Sequence, residues 1–380
     1  GGITSRTGDK VTGESFLGFR LWSRTSKTTM ASKKGKIQTV CGLIEPKHLG
    51  PTLTHEHLML QADCFYVPPS VASDHDKTNM PFVMENLGWI RQNPYSYKPN
   101  LNLVNEEDAI IEEIKAYKNL GGQAIVENST IGLSRDVQFL QRLSNTTGVH
   151  IVAGTGFYVD SFQTESTRQL SEEALAARIR DDICGGADGT EICCGVIGEI
   201  GCAWPLSDFE KRSLRSAAAV QSELGSPAII HPGRNPKAPA EIMRIFLEAG
   251  AQANKTVMSH LDRTFADAEQ LLEFAKLGCY CEYDLFGIET SHYQLWQEAD
   301  MPSDAQRITF IKTLLDNGYR DKILVAHDIH TKHRLKKYGG HGFTHILENI
   351  VPKMKQRSFS DEDIKHILTD NPATWLTFTE

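Results

Sequence analysis

The feature that most restricts the fold of this chain is an eightfold alternation of short β-rich runs with capped amphipathic helices, beginning near residue 37. Runs of this kind separated by helix-length segments form βα units, and successive βα units form a parallel sheet. The first run ends at His55 and His57; the others are 123–127, 150–154, 193–199, 227–231, 256–260, 279–284 and 322–328. Between them a helix is predicted over 105–119, capped by Asn105 and Asp108, with Ile110, Ile111, Ile114 and Tyr117 on one face. A second starts at Ser134, a third at Ser171, and a fourth at a capping box formed by Ser207 and Glu210; 239–249, 268–276 and 304–316 complete the set.

Eight such units make an α/β chain of the (β/α)8 TIM-barrel class, which takes about 250 residues and accepts insertions. The 380 residues leave room for two additions. Residues 58–100, with Pro68, Pro69, Pro81, Pro94 and Pro99, are too long for an ordinary βα loop and predict an insertion after strand one that folds over one end of the barrel. Residues 1–35 are polar and rich in Thr, Ser and Gly; they predict a disordered N-terminal extension, with a transit peptide or a translation artefact as alternatives. The barrel domain is expected over 36–380.

The formal charge of −8 excludes the basic face that a nucleic-acid partner requires. No apolar run reaches the roughly 18 residues needed to span a membrane. The eight cysteines show neither paired Cys-x-x-Cys units nor the density of a small secreted domain, so a reduced, cytoplasmic protein is expected.

Chemistry enters through position. In a strand, residues i and i+2 share a face, so His55 and His57 can hold one ion together. His55, His57, Glu199, His231, His260 and Asp328 all stand at the carboxyl ends of predicted strands one, four, five, six and eight, where barrel enzymes assemble their sites. Four imidazoles and two carboxylates suit two divalent ions of the zinc type, with Glu199 as bridge and Asp328 as ligand to one. Two such ions acidify a water and polarise a carbonyl or phosphoryl oxygen. His150 opens its strand and belongs to the opposite face. Serine-nucleophile, dinucleotide and phosphate-loop patterns are missing.

His55-x-His57, Gly198-Glu199, His231-Pro232, the run from Ser259 to Arg263, and Ala326-His327-Asp328 resemble the metal motifs of the amidohydrolase superfamily, specifically its phosphotriesterase-related family, over about residues 36–380. In the wider phosphotriesterase and lactonase group a carboxylated lysine bridges the metals at strand four. Glu199 stands there in this chain, as in the phosphotriesterase-related branch, and supplies a shorter carboxylate that needs no carbon dioxide. The resemblance implies an amidase that cleaves N-acetyltaurine and related N-acetyl amino acids to acetate and a free amine, with Asp328 moving the proton. Its partner is then a small N-acylated amine with an anionic tail, and a homodimer is allowed. Arg263 is the first candidate to hold that tail, Arg234 and Arg135 the weaker ones, and Tyr158 the candidate for lining the pocket or donating to the oxyanion. Lactone or phosphotriester hydrolysis on the same metals, and a catalytically silent barrel acting as a binding protein, are the alternatives.

Overall fold

The computed structural model describes residues 33–380. The extension expected at 1–35 therefore lies outside the described residues except for its last three, of which Gly35 donates its N–H to Phe378 O at 2.8 Å. Strands β1 (Ile37–Thr39) and β2 (Gly42–Ile44) form a small antiparallel hairpin. The barrel follows as β3 (Thr52–Glu56), β4 (Ala124–Glu127), β5 (His150–Thr155), β6 (Val196–Gly201), β7 (Ala228–His231), β8 (Thr256–Met258), β9 (Tyr280–Tyr283) and β10 (Ile323–Val325). Neighbours in the chain are neighbours in the sheet, and every pair is parallel. This is the expected eight-stranded barrel. Between β3 and β10 no regular ladder runs, and the seam is crossed by the Asp328 N–H donating to His55 O at 3.1 Å.

Alternation along each strand divides the apolar residues into two sets. Ala124, Val126, Val152, Val196, Ile229, Val257, Tyr280 and Leu324 pack with Ile37, Leu49 and Trp375, so the hairpin and the closing helix Asn371–Leu376 plug the amino end of the barrel. Ile125, Ile151, Ile197, Ile230 and Met258 face the surrounding helices. Truncating one of these fully buried side chains, such as Ile230→Ala, costs roughly 2–5 kcal/mol because the strands cannot close over the hole.

The capping box forms as expected: Ser207 Oγ accepts from Glu210 N–H at 3.1 Å and Glu210 Oε1 accepts from Ser207 N–H at 2.9 Å, starting the helix Asp208–Leu224. Two other caps differ from expectation. Ser134 turns the chain in a left-handed conformation (φ 61), and Asp136 caps the helix Val137–Thr147 instead. The helix Glu107–Asn119 has no side-chain cap, because Glu106 at its N-cap position turns away to Lys332 and Lys337. The insertion builds a helix, Met84–Gln92, and brings Leu60, Phe65 and Tyr95 over the carboxyl end of the barrel. No helix among the described residues is long and apolar enough to cross a membrane.

Candidate active site

Irregular strands aim the functional side chains. The β3–β4 register shifts between Leu53 and Glu56. Thr54 Oγ1 donates to Glu282 Oε2 at 2.7 Å while His55 Nδ1 lies 2.9 Å from the other oxygen of that carboxylate. Consecutive residues of a regular strand cannot both face one group; the bulge re-aims His55, and His57 follows it inward. The β6–β7 register also shifts, between Ile197 and Ile200. A Cβ on Gly198 (φ +131) would stand 2.1 Å from Ile229 O, so glycine is required immediately before Glu199.

Four placements correct the strand-end expectation. His57 lies one residue past β3, which ends at Glu56. Glu199 lies inside β6, which continues to Gly201. His260 and Asp328 lie beyond β8 and β10 in the left-handed region, with φ of 57 and 51. Hydrophobic periodicity does not report where a ladder stops, and both residues turn the chain as it leaves the sheet.

The six side chains nevertheless meet. Glu199 Oε1 is 3.3 Å from His57 Nε2, and Oε2 is 3.2 Å from both His55 Nε2 and His231 Nδ1. His260 Nε2 lies 3.5 Å from that same Oε2, and Asp328 Oδ1 is 3.1 Å from His57 Nε2 and 3.5 Å from His55 Nε2. Two triads result, His55/His57/Asp328 and Glu199/His231/His260, each with donor atoms within 4.8 Å of one another and all buried. Glu199 lies between the two triads, its carboxylate within 3.5 Å of all four histidines.

The electrostatics are those of a charge cluster away from water. Burial opposes charging His57, but Asp328 and Glu199 raise it to about 10. Burial also opposes ionising Glu199 and Asp328, yet His55 and the other imidazoles hold both well below the usual carboxylate range. His231 is pushed down to about 3, first by burial. The donor set fits metal by its unsatisfied atoms: His55 Nε2 and Asp328 Oδ1 are buried without a hydrogen-bond partner. Moreover, the Nδ1 atoms of His55, His57 and His260 are committed to Glu282, Ser129 and Asp284, leaving each Nε2 lone pair for the centre. The clusters are consistent with a binuclear site for divalent metal.

A cavity of about 40 Å³ opens above these groups, lined also by Tyr158, Arg234 and Arg263. Tyr158 Oη is 3.4 Å from His231 Nδ1. Arg263 donates Nη2 to Pro232 O at 2.9 Å, while its buried Nη1 has no partner. Arg234 donates Nε to Tyr293 Oη at 2.7 Å. Neither guanidinium meets a carboxylate among the described residues. Arg135 is different and corrects the expectation: it pairs with Asp182 at 2.9 Å and Asp188 at 2.8 Å, outside this cavity. Its position after strand two points it outward between helical segments.

Several contributors were not legible beforehand. His330 and Tyr95 join across the cavity wall, Tyr95 Oη to His330 Nε2 at 2.8 Å, and Tyr293 closes the side near Arg234. Glu282 and Asp284 orient His55 and His260 from behind. Only the last pair had a signal, two acids alternating at the end of predicted strand seven.

The phosphotriesterase family profile matches residues 35–376 of the chain. N-acetyltaurine hydrolase of Mus musculus is 57% identical over 350 residues, covering 92% of this chain and 100% of that protein. The Homo sapiens N-acetyltaurine hydrolase is 55% identical over 349 residues, with the same 92% and 100% covered. Among solved structures, a resiniferatoxin-binding protein from Rhodobacter sphaeroides superposes with a TM-score of 0.86 at 32% identity, over 90% of this chain and 95% of that one. The phosphotriesterase homology protein from Escherichia coli, complexed with phosphate in its active site, shares the fold at a TM-score of 0.71 and 24% identity, over 87% and 99%.

Proposed function

The chain belongs to the phosphotriesterase family, and from that premise we propose that it hydrolyses N-acetyltaurine and related N-acetyl amino acids to acetate and a free amine. It is a metal-dependent hydrolase of the amidohydrolase type, with a binuclear donor set. The observation that carries the finer reading is a pocket beside that donor set with two guanidiniums, the buried Arg263 and the half-buried Arg234, that lack carboxylate partners among the described residues. An anionic tail supplies the charge they lack.

In this reading His55, His57 and Asp328 would hold one divalent cation and His231 and His260 the other, with Glu199 available to both. Zinc suits these imidazole and carboxylate donors. When bound, such cations acidify water and polarise an acyl carbonyl. The protein's own groups do the rest. Asp328, ionised and facing both His55 and His57, takes the proton of the attacking water and delivers it to the leaving nitrogen, which an amide needs because an amide anion is a poor leaving group. Tyr158 Oη donates toward the acyl oxygen as charge develops there. Arg263 and Arg234 bind the tail, and Leu60, Phe65 and Leu285 exclude bulk water around it. Eight unpaired cysteines support a reducing compartment such as the cytoplasm.

The test is one zinc-reconstituted preparation assayed against N-acetyltaurine, other N-acetyl amino acids, a lactone and a phosphotriester. Acetate release from the first group at the highest kcat/KM is expected. Turnover of the lactone or phosphotriester alone overturns the amidase reading.

A further inference from the structure

Between His55 and His57 stands a residue with no part in the chemistry above. Glu56 is fully buried, and its carboxylate turns to residues 327 and 329. Its carboxylate is nonetheless saturated. Oε1 accepts from the backbone N–H of His327 at 2.8 Å and from His327 Nδ1 at 2.7 Å; Oε2 accepts from the backbone N–H of Ile329 at 3.0 Å. His327 Nδ1 is the donor because Nε2 of that ring accepts from Ile346 N–H at 3.0 Å. Among the described residues Glu56 has no lysine or arginine within ion-pair distance.

The residue between these two N–H groups is Asp328. Its backbone sits at φ 51, a conformation that a non-glycine residue keeps only when its surroundings impose it. The surroundings do so from two sides. Glu56 grips the N–H groups that flank Asp328, in the manner of an anion held by a backbone nest. Arg334 grips the carbonyls: Nη1 donates to Asp328 O at 2.5 Å and Nη2 to both His327 O and Phe286 O. His330 Nδ1 adds a second donor to Asp328 O at 2.7 Å. Arg334 is itself buried and, among the described residues, meets no carboxylate. A buried anion and a buried cation thus offset one another through the two peptide units that present Asp328, across the seam where β3 and β10 form no ladder.

We propose that Glu56 and Arg334 are positioning residues that clamp the 327–329 segment from opposite faces and so hold the Asp328 carboxylate among the metal donors. The proposal rests on the reading of Asp328 as ligand and proton carrier. Glu56→Gln keeps the size of the side chain but turns one acceptor into an N–H₂ group that opposes the N–H of His327 or Ile329. Arg334→Lys keeps the charge and loses the fork that spans the carbonyls.

The experiment uses full-length zinc-loaded protein dialysed against graded concentrations of a chelator, with retained zinc, kcat, KM and thermal unfolding measured together. For each variant one zinc per chain should be lost at chelator concentrations roughly 10–100-fold lower than in the parent, the scale typical of groups that support ligands from behind. The other zinc should be retained as in the parent, and kcat should fall by a similar factor while KM stays within about twofold. In an Asp328→Ala background, Glu56→Gln should have no further effect on zinc retention, since it acts through Asp328. A lower unfolding temperature with unchanged zinc retention, or an undiminished effect in that background, overturns the proposal. If Glu56→Gln does not fold, Arg334→Lys decides it by the same criteria. Zinc retention needs no substrate, so failure of the parent on N-acetyltaurine sinks the proposed activity and leaves this test intact.

Discussion

His55 Nδ1 lies 2.9 Å from Glu282 Oε1, a contact that passes over β10 from β3 to β9, with both side chains fully buried. The contact settles which imidazole nitrogen faces the centre: Nδ1 is committed to the carboxylate, and Nε2 is left facing Glu199 and Asp328. Replacing Glu282 by leucine removes the shortest partner of His55 Nδ1 and leaves the ring held only by the longer contacts to Ser259 Oγ at 3.1 Å and Asp284 Oδ2 at 3.3 Å. Zinc retention under chelator and kcat should each fall by roughly 10–100-fold, measured by metal analysis and steady-state kinetics. Unchanged zinc retention would remove Glu282 from the site.

Asp328→Asn preserves the shape of the side chain and removes its capacity to carry a proton. Amide turnover should drop by a factor of about 10² to 10⁴, the usual contribution of a positioned acid–base group, with the zinc held by Glu199, His231 and His260 still present. Full activity in this variant would end the proton-carrier role.

The tail of the substrate should be read by Arg263 and Arg234. Arg263→Met removes a buried guanidinium whose Nη1 has no protein partner. KM for N-acetyltaurine should rise by about 10–100-fold, the range of one charged hydrogen bond, while hydrolysis of an uncharged N-acetyl amine stays nearly unchanged. Equal losses on both substrates would show a structural rather than a recognition role.

Stability in mild acid should depend on Glu106, whose side chain is 4% exposed and lies 3.2 Å from Lys332 and 2.8 Å from Lys337. Burial pushes its carboxyl up, but Lys337, Tyr338 and Lys332 outweigh burial and hold it below its ordinary value. A depressed folded pKa means stabilisation that is complete above the unfolded value of about 4.3 and is lost as pH falls through the lower, folded value. Glu106→Gln should therefore lower the unfolding temperature near neutral pH and flatten its decline below about pH 4.3. A parallel decline in both proteins would contradict that sign.

Much of the architecture was legible because it is written in local periodicity. The capping box at Ser207 and Glu210, the strand carrying His231 and the eight βα units each depend on residues within a few positions of one another. Arg135 and Ser134 show where that logic stops. Arg135 follows a strand as Arg234 does, yet Asp182 and Asp188 hold it outside the cavity, and nothing near residue 135 announces carboxylates about fifty positions away.

Local pattern in the chain was enough to bring six metal-type donors to the carboxyl side of the barrel, since strand count and polarity follow from short-range spacing. Tertiary structure decided how those donors point. The bulges at His55 and Glu199, the left-handed turns at His260 and Asp328, and the grip of Glu56 and Arg334 on Asp328 arise only when distant strands close into one ring. The physical reason is that ladder register and buried hydrogen bonds are satisfied between segments, so a side chain's final direction is a property of its partners.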